Sequence, residues 1–264
     1  MKLFNLIVAF TIFLSFSLTA QTPTLNINKT DGTTDSYSLS SIQSITFGSS
    51  NIIVTEGLVS YYPFNGNAND VWGTNNGTFM NGTTVSTDRK GNANSACLLD
   101  GVDDYVALTT YLPETDEISI SVWVYYTKPG NQIADIIVDT DQPVAPAFRL
   151  DMHNTGIGIT ANKNGATLNK SNGTAVMGLN LENGWHHIVW AMASDQSLIY
   201  LDGTLVGTIV KTGSNVGDHA DHAVIGAYYD GNPPFKNFFN GKIDDLRIYN
   251  RLLTPEEVSL LYNE

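Results

Sequence analysis

Cysteine and positive charge are both scarce in this sequence. Its 264 residues include one cysteine, Cys97, so no disulfide can form within the chain. Lys and Arg total 13 against 26 Asp and Glu, which gives a net charge of −13 at pH 7. Nucleic-acid binding requires clustered basic residues, so this balance argues against a nucleic-acid partner. Stability must come from a buried core, which an apolar content of 42% can supply.

Long apolar runs are also scarce, and the one present lies at the N-terminus. Lys2 is followed by an apolar stretch from Leu3 to Leu18 and then by Thr19-Ala20. A basic start, a short apolar stretch and a small residue at its end are typical of a secretory signal peptide. We expect residues 1–20 to be removed after Ala20, and the protein to be secreted or periplasmic. No later run is long enough to span a bilayer, so no membrane span is expected after cleavage.

The remaining sequence divides into a short segment and a larger domain. Residues 21–50 contain two alternating runs around Asp31-Gly32, a hairpin signal, and then a Gly-Ser-rich linker. The segment is too short to bury a core of its own. Residues 51–264 form the second domain.

Short strands dominate the larger domain. Apolar residues alternate with Ser119, Ser121 and Trp123 between Ile118 and Val124. Clusters of Gly, Asn and Asp separate such runs, and Asp202-Gly203 marks a hairpin. This pattern predicts an all-β, two-sheet antiparallel sandwich. One short C-terminal helix is expected from Thr254 to Tyr262, because Thr254, Pro255 and Glu257 form a capping-box sequence.

The last predicted strand carries an unusual carboxylate. Strict alternation places Asp244 on the same face as Leu246 and Ile248, while Asp245 and Arg247 share the other face and can pair. Asp244 then has no evident local partner. A carboxylate near a core must be paired, hydrogen-bonded or bound to a metal.

Five motifs carry a resemblance to a known family. They lie at residues 57–70, 99–106, 184–189, 199–203 and 241–262, among them Leu99-Asp100-Gly101-Val102-Asp103-Asp104-Tyr105-Val106 and Gly241-Lys242-Ile243-Asp244-Asp245-Leu246-Arg247-Ile248-Tyr249. In this order they resemble the laminin-G-like jelly rolls of the concanavalin A-like lectin/glucanase group, as found in secreted bacterial proteins. The resemblance implies a jelly-roll fold. It does not choose a function, because this fold hosts lectins, enzymes and spacers.

A calcium site follows from the same resemblance. The loop at residues 65–77 is rich in Asn, Asp and Gly, and calcium takes six to eight oxygen ligands. The family places this loop near the last strand, which implies Asp70 and Asp244 as side-chain ligands and Asn75 as a carbonyl donor to a structural calcium. Trp72 departs from the family, which mostly has Ser there. The alternative is that these residues only build a turn.

Two groups of residues could bind a glycan. Arg149, Asp151 and His153 share one face of a predicted strand, and their donors and acceptors suit sugar hydroxyls. The loop at residues 227–239 adds Tyr229 and Phe235, whose rings suit the apolar face of a sugar. The alternatives are a solvated strand face, which alternation alone predicts, and rings packed beneath the loop.

Catalytic motifs are weak. Glucanases on this fold use a Glu-x-Asp-x-Glu strand, and the spacing at residues 114–117 does not reproduce it. Asp135, Asp139 and Asp141 could supply a glycosidase pair, but nothing in the sequence positions them. His219 and His222 sit in a predicted loop, which disfavours a transition-metal site there.

The sequence therefore indicates an exported, non-catalytic binding module with a glycan as the expected partner and a structural calcium. One alternative is a structural or adhesion module that binds a cell-surface protein. Another is a polysaccharide-cleaving enzyme of the concanavalin A-like group.

Overall fold

The structure is a computed structural model of the chain. It describes residues 23–29, 32–42, 54–113, 115, 117–127, 133–141, 145–153, 156–163, 166–167, 176–179, 181–193, 195–210, 223–228 and 234–264. The predicted signal peptide and the segment with His219 and His222 lie outside these residues. The chain divides into two compact units, Met1–Ser50 and Asn51–Glu264.

The first unit contains a small hairpin. Strands β1 (Thr24–Asn28) and β2 (Thr34–Ser38) pair antiparallel, and a 3-10 helix follows at Leu39–Ser41. Gly32 adopts a φ of +83° in the connecting turn, a conformation that glycine takes without strain. The predicted hairpin is therefore present.

The second unit consists of two large antiparallel sheets. Its strands are β3 (Leu58–Tyr62), β4 (Gly77–Met80), β5 (Thr84–Ser86), β6 (Ala96–Asp100), β7 (Tyr105–Leu108), β8 (Ile118–Tyr126), β9 (Ala134–Asp141), β10 (Ala145–His153), β11 (Gly156–Lys163), β12 (Ala166–Thr167), β13 (Val176–Met177), β14 (Trp185–Met192), β15 (Gln196–Leu201), β16 (Thr204–Val210), β17 (Ala223–Ile225) and β18 (Asn240–Tyr249). Sheet I has the order β12-β11-β10-β9-β17-β7-β4, with β13 also paired to β11. Sheet II has the order β16-β15-β14-β8-β18-β6-β5, with β3 also paired to β18.

The main core lies between the two sheets and follows the expected alternation. In β8, Ile118, Ile120, Val122 and Val124 belong to this core, whereas Ser119, Ser121 and Trp123 lie on the outer face of sheet II. Phe148, Leu150 and Met152 of β10 are core residues of sheet I. The predicted two-sheet antiparallel sandwich is confirmed.

The predicted C-terminal helix is also confirmed. Helix α1 spans Pro255–Tyr262, and Thr254 and Glu257 form the reciprocal capping box. Val258 and Leu261 are buried in a second apolar cluster with Tyr249 and Tyr200. The helix thus covers part of the outer face of sheet II.

The alternation predicted for β18 is wrong at one point. A β-bulge lies between Asp244, which pairs with Trp123, and Arg247, which pairs with Ser121. Asp245 takes a φ of +47° there, and the extra residue shifts the phase of the strand. Ile243, Leu246 and Ile248 therefore all belong to the main core. Asp244 instead shares the outer face with Trp123, not the apolar face with Leu246 and Ile248.

Candidate functional site

The partner of Asp244 comes from a distant loop. Arg89 Nη1 lies 2.9 Å from Asp244 Oδ2 and 2.5 Å from Asp245 Oδ2, and its guanidinium sits 4.6 Å from the centre of the Trp123 ring. The side chains of Arg89 and Asp244 are 8% and 3% exposed. We call Arg89, Asp244, Asp245 and Arg247 the Arg89 network. Asp244 is therefore paired, by a residue that sequence spacing could not reveal.

Neighbouring groups complete the Arg89 network. Tyr61 donates a hydrogen bond from its hydroxyl to Asp245, and the Arg247 guanidinium stacks 4.3 Å from the Tyr61 ring centre. Arg247 also pairs with Glu264 at 2.7 Å. Burial, with the nearby Asp245 charge, raises the pKa of Asp244 to about 7, although Arg89 opposes the shift.

Asp70 organises the loop between β3 and β4. Its Oδ1 accepts the backbone N–H groups of Tyr61, Trp72 and Gly73 at 2.9, 3.1 and 2.8 Å, and its Oδ2 accepts that of Asn75 at 3.2 Å. The carboxylate therefore closes the turn, as the alternative interpretation of this loop proposed.

Asn75 is equally engaged. Its carbonyl accepts the Tyr62 hydroxyl at 2.6 Å. Its side-chain oxygen accepts the N–H of Thr110 at 2.9 Å, and its amide donates to the Thr110 carbonyl at 3.2 Å. Calcium held by Asp70, Asn75 and Asp244 would have to displace or share these bonds, and it would lie beside the Arg89 guanidinium. As they stand, these three residues do not fit a calcium ion.

A different set of carboxylates lies at the β6–β7 turn. Asp100, Asp103 and Asp104 each place a carboxylate oxygen within 4.8 Å of the others, so this cluster could hold a metal ion. Asp104 is 3% exposed, and its Oδ2 accepts the Asp100 N–H at 3.0 Å. Burial, with the charges of Asp100 and Asp103, raises the pKa of Asp104. The sequence motif Asp-Gly-x-Asp-Asp was noted as a family landmark but not as a metal cluster.

The predicted glycan face of β10 is buried rather than open. Arg149 bonds to Asp135 through Nε and through Nη2, the latter at 3.1 Å, and its Nε lies 3.1 Å from Asp151. Asp135 and Asp151 are fully buried, and burial raises the pKa of Asp135 to about 7. The Arg149 guanidinium stacks 4.9 Å from the ring centre of Tyr228. We call Arg149, Asp135 and Asp151 the Arg149 cluster.

Of the other predicted glycan-binding residues, Phe235 is packed against another ring, and the side chains of His153 and Tyr229 lie outside the described part of the structure. Phe235 stacks on Tyr105 with ring centres 4.4 Å apart, so one face of its ring is covered. His153 ends β10, but its side chain lies outside the described residues, and so does Tyr229. The structure thus joins Arg149 and Asp151 directly, and it places Phe235 against the strand that follows Asp104.

An open cavity lies elsewhere, at one end of the sandwich. Its volume is about 280 Å³, and residues of three segments line it: Val59, Ser60, Gly73, Thr74, Asn75, Thr110, Tyr111, Leu112 and Pro113. Tyr111 is 44% exposed, and Trp72, next to the lining residue Gly73, is 51% exposed. We call this cavity, with Trp72, the rim pocket. The sequence pointed to it only through the unusual Trp72.

The carboxylates considered for catalysis are not arranged as a glycosidase pair. Asp135 is held in the Arg149 cluster, while Asp139 accepts the N–H of Leu112 at 2.8 Å. The side chain of Asp141 lies outside the described residues, as do Glu114 and Asp116.

His187 is buried with its Nε2 2.8 Å from the Ser121 hydroxyl, and burial lowers its pKa to about 3.

A family comparison identifies the fold. The model of the concanavalin A-like lectin/glucanases superfamily, in its laminin G form, matches residues 100–259. The chain belongs to this superfamily. The match includes the landmarks from Asp100 onward and confirms the jelly-roll prediction. Superfamily members include both lectins and glucanases, so membership alone leaves the activity open.

Several solved structures share the fold. One is domain 4 of AbnA, a GH43 extracellular arabinanase from Geobacillus stearothermophilus, in complex with arabinotriose. It is 18% identical, with a TM-score of 0.59 over 78% of this chain and 98% of that one. Another is the receptor-binding domain of botulinum neurotoxin mosaic serotype C/D, at 15% identity and a TM-score of 0.57 over 78% of this chain and 50% of that one. The chain thus spans about half of the toxin domain.

A third solved structure belongs to botulinum neurotoxin type C, whose cell entry depends on interaction with two ganglioside molecules. It is 13% identical, with a TM-score of 0.57 over 78% of this chain and 51% of that one. At these identities the likeness concerns the fold alone. A search of curated protein sequences gave no match. Within the described part of the chain, no helix has the length and apolar character needed to cross a membrane.

Proposed function

We propose that this protein is a non-catalytic carbohydrate-binding module and that the rim pocket receives the sugar. The observation that carries the proposal is an exposed aromatic residue, Tyr111, in the lining of a small cavity whose nine described lining residues carry no charge. A second exposed aromatic residue, Trp72, precedes the lining residue Gly73 in the sequence. Ligand pockets are typically lined by apolar and aromatic side chains with a few polar groups.

The lining of the pocket suits a sugar. Aromatic rings pack against the C–H face of a sugar ring, and hydroxyl groups at its edge need polar partners. Thr74 and Thr110 are exposed and place hydroxyl groups in the lining, while Leu112 and Pro113 provide an apolar wall. The volume of about 280 Å³ lies near the lower end of small-molecule pockets, which fits one sugar residue. The arabinotriose complex of AbnA domain 4 supports carbohydrate as the ligand class.

A glycan array followed by titration calorimetry tests the proposal. Trp72→Ala and Tyr111→Ala should each weaken binding of the glycan that the array returns by about tenfold or more, because each removes a stacking platform. Tyr37→Ala is the matched control, since Tyr37 is 47% exposed in the other unit. An array without any glycan signal, or undiminished affinity in both pocket variants, would refute the rim pocket as a sugar site.

The Arg149 cluster is the alternative location. If Phe235 and the polar strand face bind the glycan instead, Phe235→Ala should weaken binding while Trp72→Ala does not. Asp151→Ala is a poor reporter, because Asp151 is fully buried and its loss should also destabilise the fold. Phe235→Ala with thermal melts beside the titration therefore separates the two locations.

We also propose that the protein lacks hydrolase activity. The support is that Asp135 is bound to Arg149 and Asp139 to a backbone N–H, so neither is free to act as an acid or nucleophile. Incubation with β-glucan, xylan and arabinan should release no reducing ends above a heat-killed control. Release that disappears in an Asp135→Asn variant would establish an enzyme.

A structural calcium is proposed at the β6–β7 turn. Three carboxylates within 4.8 Å of one another favour a hard divalent cation, whose charge would offset their mutual repulsion. Calcium at a hundredfold excess over its dissociation constant should stabilise the folded state by about 2.7 kcal/mol. Chelation removes this stabilisation and should therefore lower the melting temperature. Asp103→Asn should remove this difference, whereas Asp70→Asn should not. The reverse result would return the site to the loop of Asp70. Equal melts with and without chelator would exclude calcium.

Export is proposed from the N-terminal sequence alone. Mass spectrometry of the protein recovered outside the cytoplasm should show Gln21 as the first residue. A cytoplasmic protein that retains Met1 would contradict this.

A further inference from the structure

The hydrogen-bonding pattern behind the rim pocket restricts what the pocket can bind. Two buried carboxylates lie directly behind its backbone. Asp70, 6% exposed, binds the N–H groups of Gly73 and Asn75, and Asp139, fully buried, binds that of Leu112. All three residues line the pocket. Two buried carboxyl groups therefore lie behind the wall.

These contacts also turn the N–H donors of the wall away from the ligand. A fourth N–H group, that of Thr110, is also engaged within the protein, since it donates to the Asn75 side chain at 2.9 Å. Proteins bind anions with outward N–H groups, as at helix N-termini and backbone nests, or with Arg and Lys. The lining contains no Lys or Arg among its nine described residues.

The charge of Asp70 affects the pKa of the neighbouring Tyr62 hydroxyl. Burial raises the pKa of Tyr62, and the negative charge of Asp70 raises it further, because both disfavour a phenolate. Tyr62 donates its hydroxyl proton to the Asn75 carbonyl at the inner side of the same loop. An anionic ligand in the pocket would meet the same unfavourable potential.

We infer that the rim pocket selects uncharged sugar residues and rejects uronic, sialic or sulfated ones. The inference rests on the proposed carbohydrate binding and adds the class of sugar. A neutral sugar presents hydroxyl groups, which can exchange hydrogen bonds with the hydroxyl groups of Thr74 and Thr110, and it carries no negative charge for the buried carboxyl groups to disfavour. A carboxylate or sulfate group would find no cation among the described lining residues, and the N–H groups of Gly73, Asn75, Thr110 and Leu112 already donate within the protein.

The test uses sugars of one backbone type that carry or lack negative charge. Trigalacturonic acid and its fully methyl-esterified form share one backbone, and galactotriose adds a second neutral probe beside the neutral glycans of the array. Wild-type protein should bind neutral members at least about tenfold more tightly than the charged one, and the gap should narrow between 0.05 and 0.5 M NaCl because salt screens the repulsion.

A designed cation provides the second arm. Thr74→Lys places an ammonium group on an exposed residue of the lining, so the fold should be retained. It should raise the affinity for the uronate and narrow the gap, while Thr208→Lys, the same change on exposed and distant β16, should not. Melting curves of both variants verify folding.

The outcomes separate the two claims. Uronate binding equal to neutral binding, and lost in Trp72→Ala, overturns the charge selectivity but keeps the carbohydrate site. Absence of binding to every neutral and charged glycan on the array overturns both. A preference for neutral sugars that Thr74→Lys reverses or narrows supports both.

Discussion

The Arg149 cluster and the Arg89 network both hold buried acids beside arginine side chains on the outer faces of the two sheets, but they differ in how many partners share each charge. In sheet I a single described cation, Arg149, faces two fully buried carboxylates. In sheet II Arg89 and Arg247 both lie near Asp245, which also accepts the Tyr61 hydroxyl. In sheet II one acid is thus shared by several donors, whereas in sheet I one cation is shared by two acids, so the loss of Arg89 should be better tolerated than the loss of Arg149.

The largest effect is expected where the cation is shared by two acids. Arg149→Met should destabilise the domain by about 3–5 kcal/mol, because it removes the cation that contacts both buried acids, Asp135 and Asp151. The triple variant Arg149→Met/Asp135→Asn/Asp151→Asn should recover much of the loss, since the two acids that faced Arg149 are then neutral. Urea unfolding measures both, and a loss below about 1 kcal/mol for the single variant would show that the acids have another partner.

Arg89→Met should cost less, about 1.5–3 kcal/mol, because Asp245 keeps Tyr61 and Arg247 and mainly Asp244 loses its partner. Lys90→Met is the matched control, since Lys90 is the exposed neighbour of Arg89. The same urea experiment applies. If Arg89→Met proves more damaging than Arg149→Met, redundancy does not distinguish the two regions.

A dependence on pH should be common to both regions. Asp135 and Asp244 have folded-state pKa values raised to about 7, above the ordinary value of 3.8. Between these values the folded state holds more protons than the unfolded state. Their contribution is therefore full at low pH and is lost as pH rises through 7, by at most about 1.4 kcal/mol per unit and per group.

Urea unfolding at pH 5, 6, 7 and 8 measures this slope. Asp135→Asn and Asp244→Asn should each remove their own share of it. Asp245 and Glu257 have lowered pKa values and act in the opposite sense, but only as pH falls through their acidic range. Stability that rises from pH 5 to 8 would contradict the raised values.

The smallest effect should come from one donor of the redundant network. Tyr61→Phe removes the hydrogen bond to Asp245 and should cost about 1 kcal/mol in the same unfolding assay. Combined with Arg89→Met, the loss should exceed the sum of the single losses, because Arg247, at 3.9 Å, is then the side-chain partner left to Asp245 among the described residues. Simple additivity would show that the two donors act independently.

Local patterns predicted the parts of the fold that local rules govern. The alternation of β8, the turn at Asp202-Gly203 and the capping box of Thr254 and Glu257 depend on residues close in sequence, and each is present. The bulge at Asp245 is not predictable in this way, because a non-glycine residue at positive φ breaks the rule of alternation itself.

The site was less predictable because its partners are distant in sequence. Asp244 lacked a local partner, and Arg89 lies 155 residues away from it. The oxygen-rich loop of Asp70 has the composition of both a calcium loop and a turn, and only the directions of four N–H groups distinguish them. Trp72 departs from the family pattern, but its exposure, and the cavity lined by its neighbour Gly73, become evident only in the packed structure.

The position of β18 in sheet II has a consequence for how the chain reaches its native state. This strand pairs with β3, β6 and β8. The backbone hydrogen bonds of these three earlier strands are therefore incomplete until residues 240–249 have been added to sheet II. Pairings so far apart in sequence form slowly. A nascent chain that stalls before residue 240 would therefore expose open strand edges, which are templates for aggregation and binding sites for chaperones.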